Sequence, residues 1–127
     1  VGGLRALAGW CGGLVSATPG GPGTRHLVDA DMLQALGERG WLVNIARGSV
    51  VDTAALARAL RTHAIAGAGL DVYESEPAPP AELIGLSNVV LTPHVAGWSP
   101  EAVQNSVDRF IANATRHFAG QPMVSPI

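Results

Sequence analysis

Four short apolar runs alternate along this chain with segments that carry helix punctuation, and that alternation leaves few folds open. The runs occupy residues 13–17, 41–45, 65–71 and 88–91. Each has the length and continuous apolarity of a strand, and strands alternating with helices argue for an α/β fold with a parallel sheet and right-handed crossovers. Three of the runs lead into charged or proton-carrying motifs: Asn44-Ile45-Ala46-Arg47-Gly48, Leu70-Asp71-Val72-Tyr73-Glu74-Ser75-Glu76-Pro77 and Thr92-Pro93-His94-Val95-Ala96-Gly97. In an open α/β sheet, ligands sit beyond the carboxyl ends of the strands. An arginine, a glutamate and a histidine delivered to that edge suit redox work on a small carboxylic acid.

The helices are read from their caps. Asp29 caps a short helix through Met32, Leu33 and Leu36, closed by Gly37 and Gly40. Asp52 caps another, with Leu56 and Leu60 on one face. Ser99 caps a long helix from Pro100 to about Phe118, in which Val103, Val107, Phe110, Ile111 and Ala114 follow the helical period. Between these, residues 20–23 are read as a loop without regular structure, and Pro77, Pro79 and Pro80 as holding an extended segment. The glycines of residues 65–71 are expected to let a helix pack close.

At 127 residues the chain has the length of one domain. With 47% hydrophobic and 14% charged residues, the strands are expected to be buried on both faces. A net charge of −2 gives no electrostatic reason to expect nucleic acid or an anionic membrane surface. All basic residues are arginines, so P-loop and Schiff-base lysine chemistry is excluded. The single Cys11 excludes an intramolecular disulfide and fits a reducing compartment. The chain opens on Val1 rather than methionine, which suggests a fragment or processed product. Residues 4–17 are apolar enough to resemble a signal peptide, but Trp10 and several glycines interrupt them. No run reaches the roughly 20 apolar residues of a bilayer span. A cytoplasmic location without membrane attachment is the expectation.

A dinucleotide-binding fold opens with a strand, a G-x-G-x-x-G turn and a helix, followed by an acidic residue. Only decoys are present. Gly21-Pro22-Gly23 has His26 where the third glycine belongs, and Gly67-Ala68-Gly69 lies inside a strand run. The fold expected is therefore the second half of a Rossmann-type doubly wound parallel sheet with a long C-terminal helix. Residues 1–99 form a partial dinucleotide-binding domain lacking the glycine-rich turn, and residues 100–127 a C-terminal helix and tail.

From about Leu14 to Pro122 the chain resembles the NAD-binding domain of the D-isomer-specific 2-hydroxyacid dehydrogenases. The strongest parts are residues 43–52, 66–73 with Glu76-Pro77, and 91–97, in the family's order and spacing. The resemblance implies a hydride exchange between NAD or NADP and C2 of a small 2-hydroxy or 2-oxo acid. It places Arg47 on the catalytic arginine, whose planar fork suits a carboxylate. It places His94 on the acid/base histidine and Glu76 on its carboxylate partner, which favours the imidazolium and fixes the ring. Cofactor contacts are implied for Thr18, Pro19, Thr24, Ile45, Ala46, Arg47, Asp71, His94, Ala96 and Gly97. The chain departs from the family at Gly20 and Gly21, where bulkier residues are usual. Trp98 is placed beside the substrate pocket. In the family the final helix packs toward a substrate domain, so here its apolar face is expected to lack cover. A homodimer is the expected assembly of the intact protein.

Blander readings apply to the rest. Glu74 reads as a solvated neighbour of Glu76, and His26, His63 and His117 as ordinary loop or helix-end histidines. Asp71, Glu76 and His94 lack the spacing of a metal site, so no metal is expected. Ser99 lacks the second glycine of a nucleophile elbow. Asn113-Ala114-Thr115 matches a glycosylation pattern but falls in a helix. Two functions of different class stand: a dehydrogenase of which this chain is the C-terminal part, and a non-catalytic half domain that cannot hold a dinucleotide alone.

Overall fold

The computed structural model describes residues 3–125; Val1 and Ile127, the outer limits of the two expected regions, lie outside them. The chain divides into two compact units, residues 1–94 and 95–127.

The first unit is a four-stranded parallel sheet, β1 (Gly13–Ser16), β2 (Trp41–Asn44), β3 (Gly67–Leu70) and β4 (Val89–Leu91), in spatial order β1-β2-β3-β4. Three helices accompany it: α1 (Leu4–Trp10), α2 (Ala30–Leu36) and α3 (Thr53–Arg61). The strands form where the apolar runs are, and the register aligns Leu14, Leu42, Ala68 and Val89 across the sheet. These residues, with Leu70 and Leu91, face a core built from Ala8 of α1, Met32, Leu33 and Leu36 of α2, and Leu56 and Leu60 of α3. Period-two alternation sends the neighbouring side chains the other way. There Val15, Trp41, Val43 and Val90 are exposed. The expectation of burial on both faces fails for this sheet, because the core lies on one face only.

The caps are local and form as the residue types dictate. Asp29 accepts from the Met32 amide at 3.0 Å and Asp52 from the Ala55 amide at 2.9 Å. α3 ends in a Schellman motif, in which the His63 amide donates to Leu60 and the Ala64 amide to Ala59. The left-handed position of that motif is filled by His63, at φ 54°.

Three local expectations are corrected, and one helix stands where none was expected. Residues 4–10 form α1, with no side-chain cap at Gly3. Pro22–Thr24 form a 3-10 turn where no regular structure was expected, with proline in its first turn. Residues 74–78 turn rather than extend, tied by a reciprocal pair in which the Ala78 amide donates to Ser75 and the Ser75 hydroxyl to Ala78. The Glu76–Pro77 peptide bond is cis. Gly67 makes room for the Trp41 indole and the Asn88 carbonyl, not for a helix.

The second unit carries α4 (Pro100–Phe118), capped by Ser99, whose hydroxyl accepts from the Ala102 amide at 3.1 Å. No described residue of α4 is buried, and Val103, Val107, Phe110 and Ile111 are exposed. Asn113 is occupied in fixing the tail: its Oδ1 accepts from the Val124 amide and its Nδ2 donates to the Ser125 hydroxyl. Among the described residues no helix is long and apolar enough to cross a membrane.

Candidate active site

The carboxyl ends of β2, β3 and β4 deliver the site in three turns. The first follows β2. Asn44 is buried, and its side chain does the work of a turn: Oδ1 accepts from the Ala46 amide and Nδ2 donates to the Arg47 carbonyl, both at 3.1 Å. This fixes Arg47 at the head of a 3-10 turn, Gly48–Val50. The Arg47 guanidinium donates to the Ala46 carbonyl at 2.6 Å. Gly20 lies against its stem, since a Cβ there would stand 2.9 Å from Arg47 Cγ. The glycine that departs from the family pattern therefore leaves space for the arginine.

The second turn follows β3. Asp71 is buried and its Oδ1 accepts from the Thr92 hydroxyl at 2.5 Å. Glu76 curls back so that Oε1 accepts from the Tyr73 amide at 2.8 Å. That bond, above all, holds the Glu76 carboxyl below the usual carboxylate range. Partial desolvation opposes it, and His94 adds to it. The Tyr73 hydroxyl donates to the Thr92 carbonyl. Burial, then the charges of Asp71 and Glu76, push the Tyr73 phenol up.

The third turn follows β4. The Thr92 amide prolongs the ladder to Leu70 at 2.9 Å, and the His94 amide donates to Asp71 at 2.9 Å. His94 sits at φ 56°, a left-handed conformation that costs a non-glycine residue free energy and is found at functional turns. Its Nδ1 lies 3.0 Å from Glu76 Oε2. An ionised carboxylate only accepts, so Nδ1 carries the hydrogen of this bond, and Nε2 is left to exchange a proton with a ligand.

Arg47 and Glu76 line one open cavity of about 640 Å³. Glu76 and His94 line a second of about 680 Å³, with Tyr73 and Glu76 common to both. Glu76 is thus common to the cavity that Arg47 lines and the cavity that His94 lines. Thr18, Pro19 and Thr24 lie in the loop after β1. The Thr24 hydroxyl closes that loop onto Pro19 at 2.8 Å. The Thr18 hydroxyl is buried without a hydrogen-bond partner among the described residues. A buried orphan hydroxyl of this kind is suited to a ligand or a water. Ile45 is exposed, whereas Ala46 is buried with its amide and carbonyl both engaged. Ala96 and Gly97 belong to the second unit, two and three residues after His94 in the chain. Among the described residues no group of three or more His, Cys, Asp or Glu could hold a metal ion.

Two neighbouring residues do more than their sequence context indicates. Glu74 is not a solvated bystander: Oε1 lies 2.8 Å from His26 Nε2, and Oε2 accepts from the Thr53 amide and hydroxyl at 3.2 and 2.8 Å. His26 is correspondingly more than a loop histidine. Asn44 was visible as a polar residue closing an apolar run, which is the signal for a side-chain turn.

The family model of the D-isomer specific 2-hydroxyacid dehydrogenase NAD binding domain matches residues 2–96. The 2-ketogluconate reductase of Gluconobacter oxydans is 43% identical over 124 residues, covering 98% of this chain and 40% of that protein. Among solved structures, the NADPH-dependent glyoxylate/hydroxypyruvate reductase of Sinorhizobium meliloti, in complex with NADP and malonate, superposes with a TM-score of 0.91 at 41% identity. It covers 98% of this chain and 39% of that one. The holo form of Rhodotorula graminis D-mandelate dehydrogenase gives a TM-score of 0.94 at 33% identity, covering 100% of this chain and 37% of its own. The chain spans about two fifths of the length of the curated relative.

Proposed function

The chain belongs to the D-isomer-specific 2-hydroxyacid dehydrogenase family, and on that premise we propose that the full-length protein interconverts a small 2-oxo acid and its D-2-hydroxy acid with NAD or NADP. The observation that carries this reading is the His94–Glu76 pair at 3.0 Å, with Arg47 on a cavity that Glu76 also lines. Arg47 binds the substrate carboxylate through its planar fork. His94 holds a proton at Nε2 and passes it to the carbonyl oxygen during reduction, and takes it back during oxidation. Glu76 orients the ring through Nδ1 and balances its charge.

A bound nicotinamide cofactor supplies the hydride chemistry. Its holding residues would be Thr18, Pro19 and Thr24 on the adenosine side, and Ile45, Arg47, Asp71, His94, Ala96 and Gly97 toward the nicotinamide. The orphan Thr18 hydroxyl and the exposed Ile45 fit that use; Ala46, buried and engaged, serves to space its neighbours. No glycine-rich turn for the pyrophosphate occurs in these residues, which supports reading residues 1–99 as part of such a domain and residues 100–127 as its C-terminal helix and tail. A homodimer in the cytoplasm completes the proposal.

The test is a panel of glyoxylate, hydroxypyruvate and larger 2-oxo acids assayed with NADH and NADPH, following loss of reduced-nicotinamide absorbance. Oxidation of cofactor by at least one 2-oxo acid is expected. Its absence across the panel with both cofactors would overturn the reading.

A further inference from the structure

The segment Tyr73–Pro77 presents two glutamates, and each meets a histidine. Glu76 meets His94 at 3.0 Å and Glu74 meets His26 at 2.8 Å. Both histidines hold left-handed backbones, at φ 56° and 50°. The first pair belongs to the site already described. In the second, Glu74 lines the cavity that Arg47 and Glu76 share, and it is bonded more heavily than an exposed ion pair requires.

Its partners define what it does. Oε2 accepts from the amide and hydroxyl of Thr53, the first residue of α3. Oε1 bonds His26, whose own amide donates to the Ser49 carbonyl at 2.8 Å. Ser49 lies inside the 3-10 turn headed by Arg47. Glu74 therefore grips the Arg47 segment from both sides, through His26 before its end and Thr53 beyond it. A second, independent observation shows the same two segments pressed together. A Cβ on Gly48 would overlap the Tyr73 carbonyl and the Glu74 amide, so only glycine allows that approach. The Tyr73 amide in turn holds the Glu76 carboxylate. Arg25, 3.8 Å from Glu74 Oε1, is well exposed and adds little. Burial raises the Glu74 carboxyl, and the bonds from His26 and Thr53 outweigh it, leaving it below the ordinary range and ionised.

We infer that Glu74 is a positioning residue that, through His26 and Thr53, locks the turn bearing Arg47 against the loop bearing Glu76. The separation between substrate carboxylate and acid/base histidine is then set by a residue whose own bonds go to His26 and Thr53. This inference rests on the proposed 2-oxo acid chemistry for its kinetic consequence, while the lock itself is a matter of geometry.

The test uses the full-length protein with Glu74→Ala, Glu74→Gln and His26→Gly. Glycine at 26 keeps the left-handed backbone without strain and removes the ring. Glu74→Ala is expected to lower kcat by about 10- to 100-fold, the cost of a site loosened by about an ångström. The KM for the nicotinamide cofactor should change much less than kcat, since the Thr18–Thr24 loop on its adenosine side is closed by its own bond. Glu74→Gln keeps an acceptor for Thr53 and a bond to His26, and should recover most of the loss. His26→Gly should fall between them, and reads the same kcat-against-KM split if Glu74→Ala does not fold. Amide hydrogen exchange provides a readout free of activity. Residues 47–50 and 73–76 should exchange faster together in Glu74→Ala, and not in Glu74→Gln. Wild-type kcat in Glu74→Ala, equal losses in the alanine and glutamine variants, or unchanged exchange in both segments would each overturn the inference. A wild-type protein that reduces no 2-oxo acid would sink the proposed function, and the exchange result would still decide the lock.

Discussion

Replacing Gly48 with alanine measures how closely the Arg47 turn is fitted to the Glu76 loop. The added Cβ would overlap the carbonyl carbon and oxygen of Tyr73 and the amide nitrogen of Glu74, at separations real Cβ atoms do not show. All of these are backbone atoms, so no side-chain rotation relieves the overlap. Either the loop retreats or the turn tilts. Overpacking of this kind costs about 1–3 kcal/mol. Here the displacement falls on Tyr73, whose amide holds Glu76, and on Arg47, the next residue along the chain. A shift of about 1 Å in such a site lowers turnover on the order of 100-fold. Urea denaturation and steady-state reduction of a 2-oxo acid, both on the full-length protein, read the two effects. Gly69→Ala is the control, because its Cβ would meet only Val43 Cγ2, at 3.9 Å. A Gly48→Ala protein within about 0.5 kcal/mol of wild type, the ordinary range for a harmless surface change, and with undiminished kcat would refute the close fit.

Further outcomes follow from other features. His63→Gly removes a histidine from the left-handed position that ends α3 and should raise stability by about 1 kcal/mol in thermal melts; a lower midpoint would contradict the strain assigned to it. Glu74 and Glu76 both have folded-state pKa values below the ordinary 4.5. Their stabilising contribution is thus present above the unfolded value and disappears as pH falls through the folded values. The urea midpoint should drop as the medium is acidified below about 4.5, and Glu74→Gln or Glu76→Gln should flatten that drop; an unchanged slope would count against the cited bonds. Arg47→Lys keeps the charge and loses the fork, so the KM for the 2-oxo acid should rise by on the order of 10-fold, and an unchanged KM would remove Arg47 from carboxylate binding.

What the sequence discloses, and what it hides, divides along local and non-local physics. The caps at Asp29, Asp52 and Ser99 are legible because each is satisfied three residues away. The four strands are legible because apolar runs bounded by turn residues have few other uses, and the three site turns stand where those strands end. Helix α1 is hidden. Its sequence holds a glycine and a tryptophan and offers no side-chain cap, and it is held by Ala8 in the core and by packing on α2. The bare sheet face is hidden because Val15, Val43 and Val90 have the composition of buried strand residues, and nothing local says which face a helix will cover. The His26–Glu74 bond is hidden for the same reason: it spans 48 positions, and only the fold brings its ends together.

The central claim is that His94, oriented by Glu76, moves the proton in a reaction on a 2-oxo acid. Its most direct test compares wild type and His94→Gln in the full-length protein, measuring kcat for 2-oxo acid reduction alongside the Kd for the reduced cofactor. The account predicts a fall in kcat of about 10²- to 10⁴-fold with a far smaller change in the Kd. Equal turnover in the two proteins would contradict it.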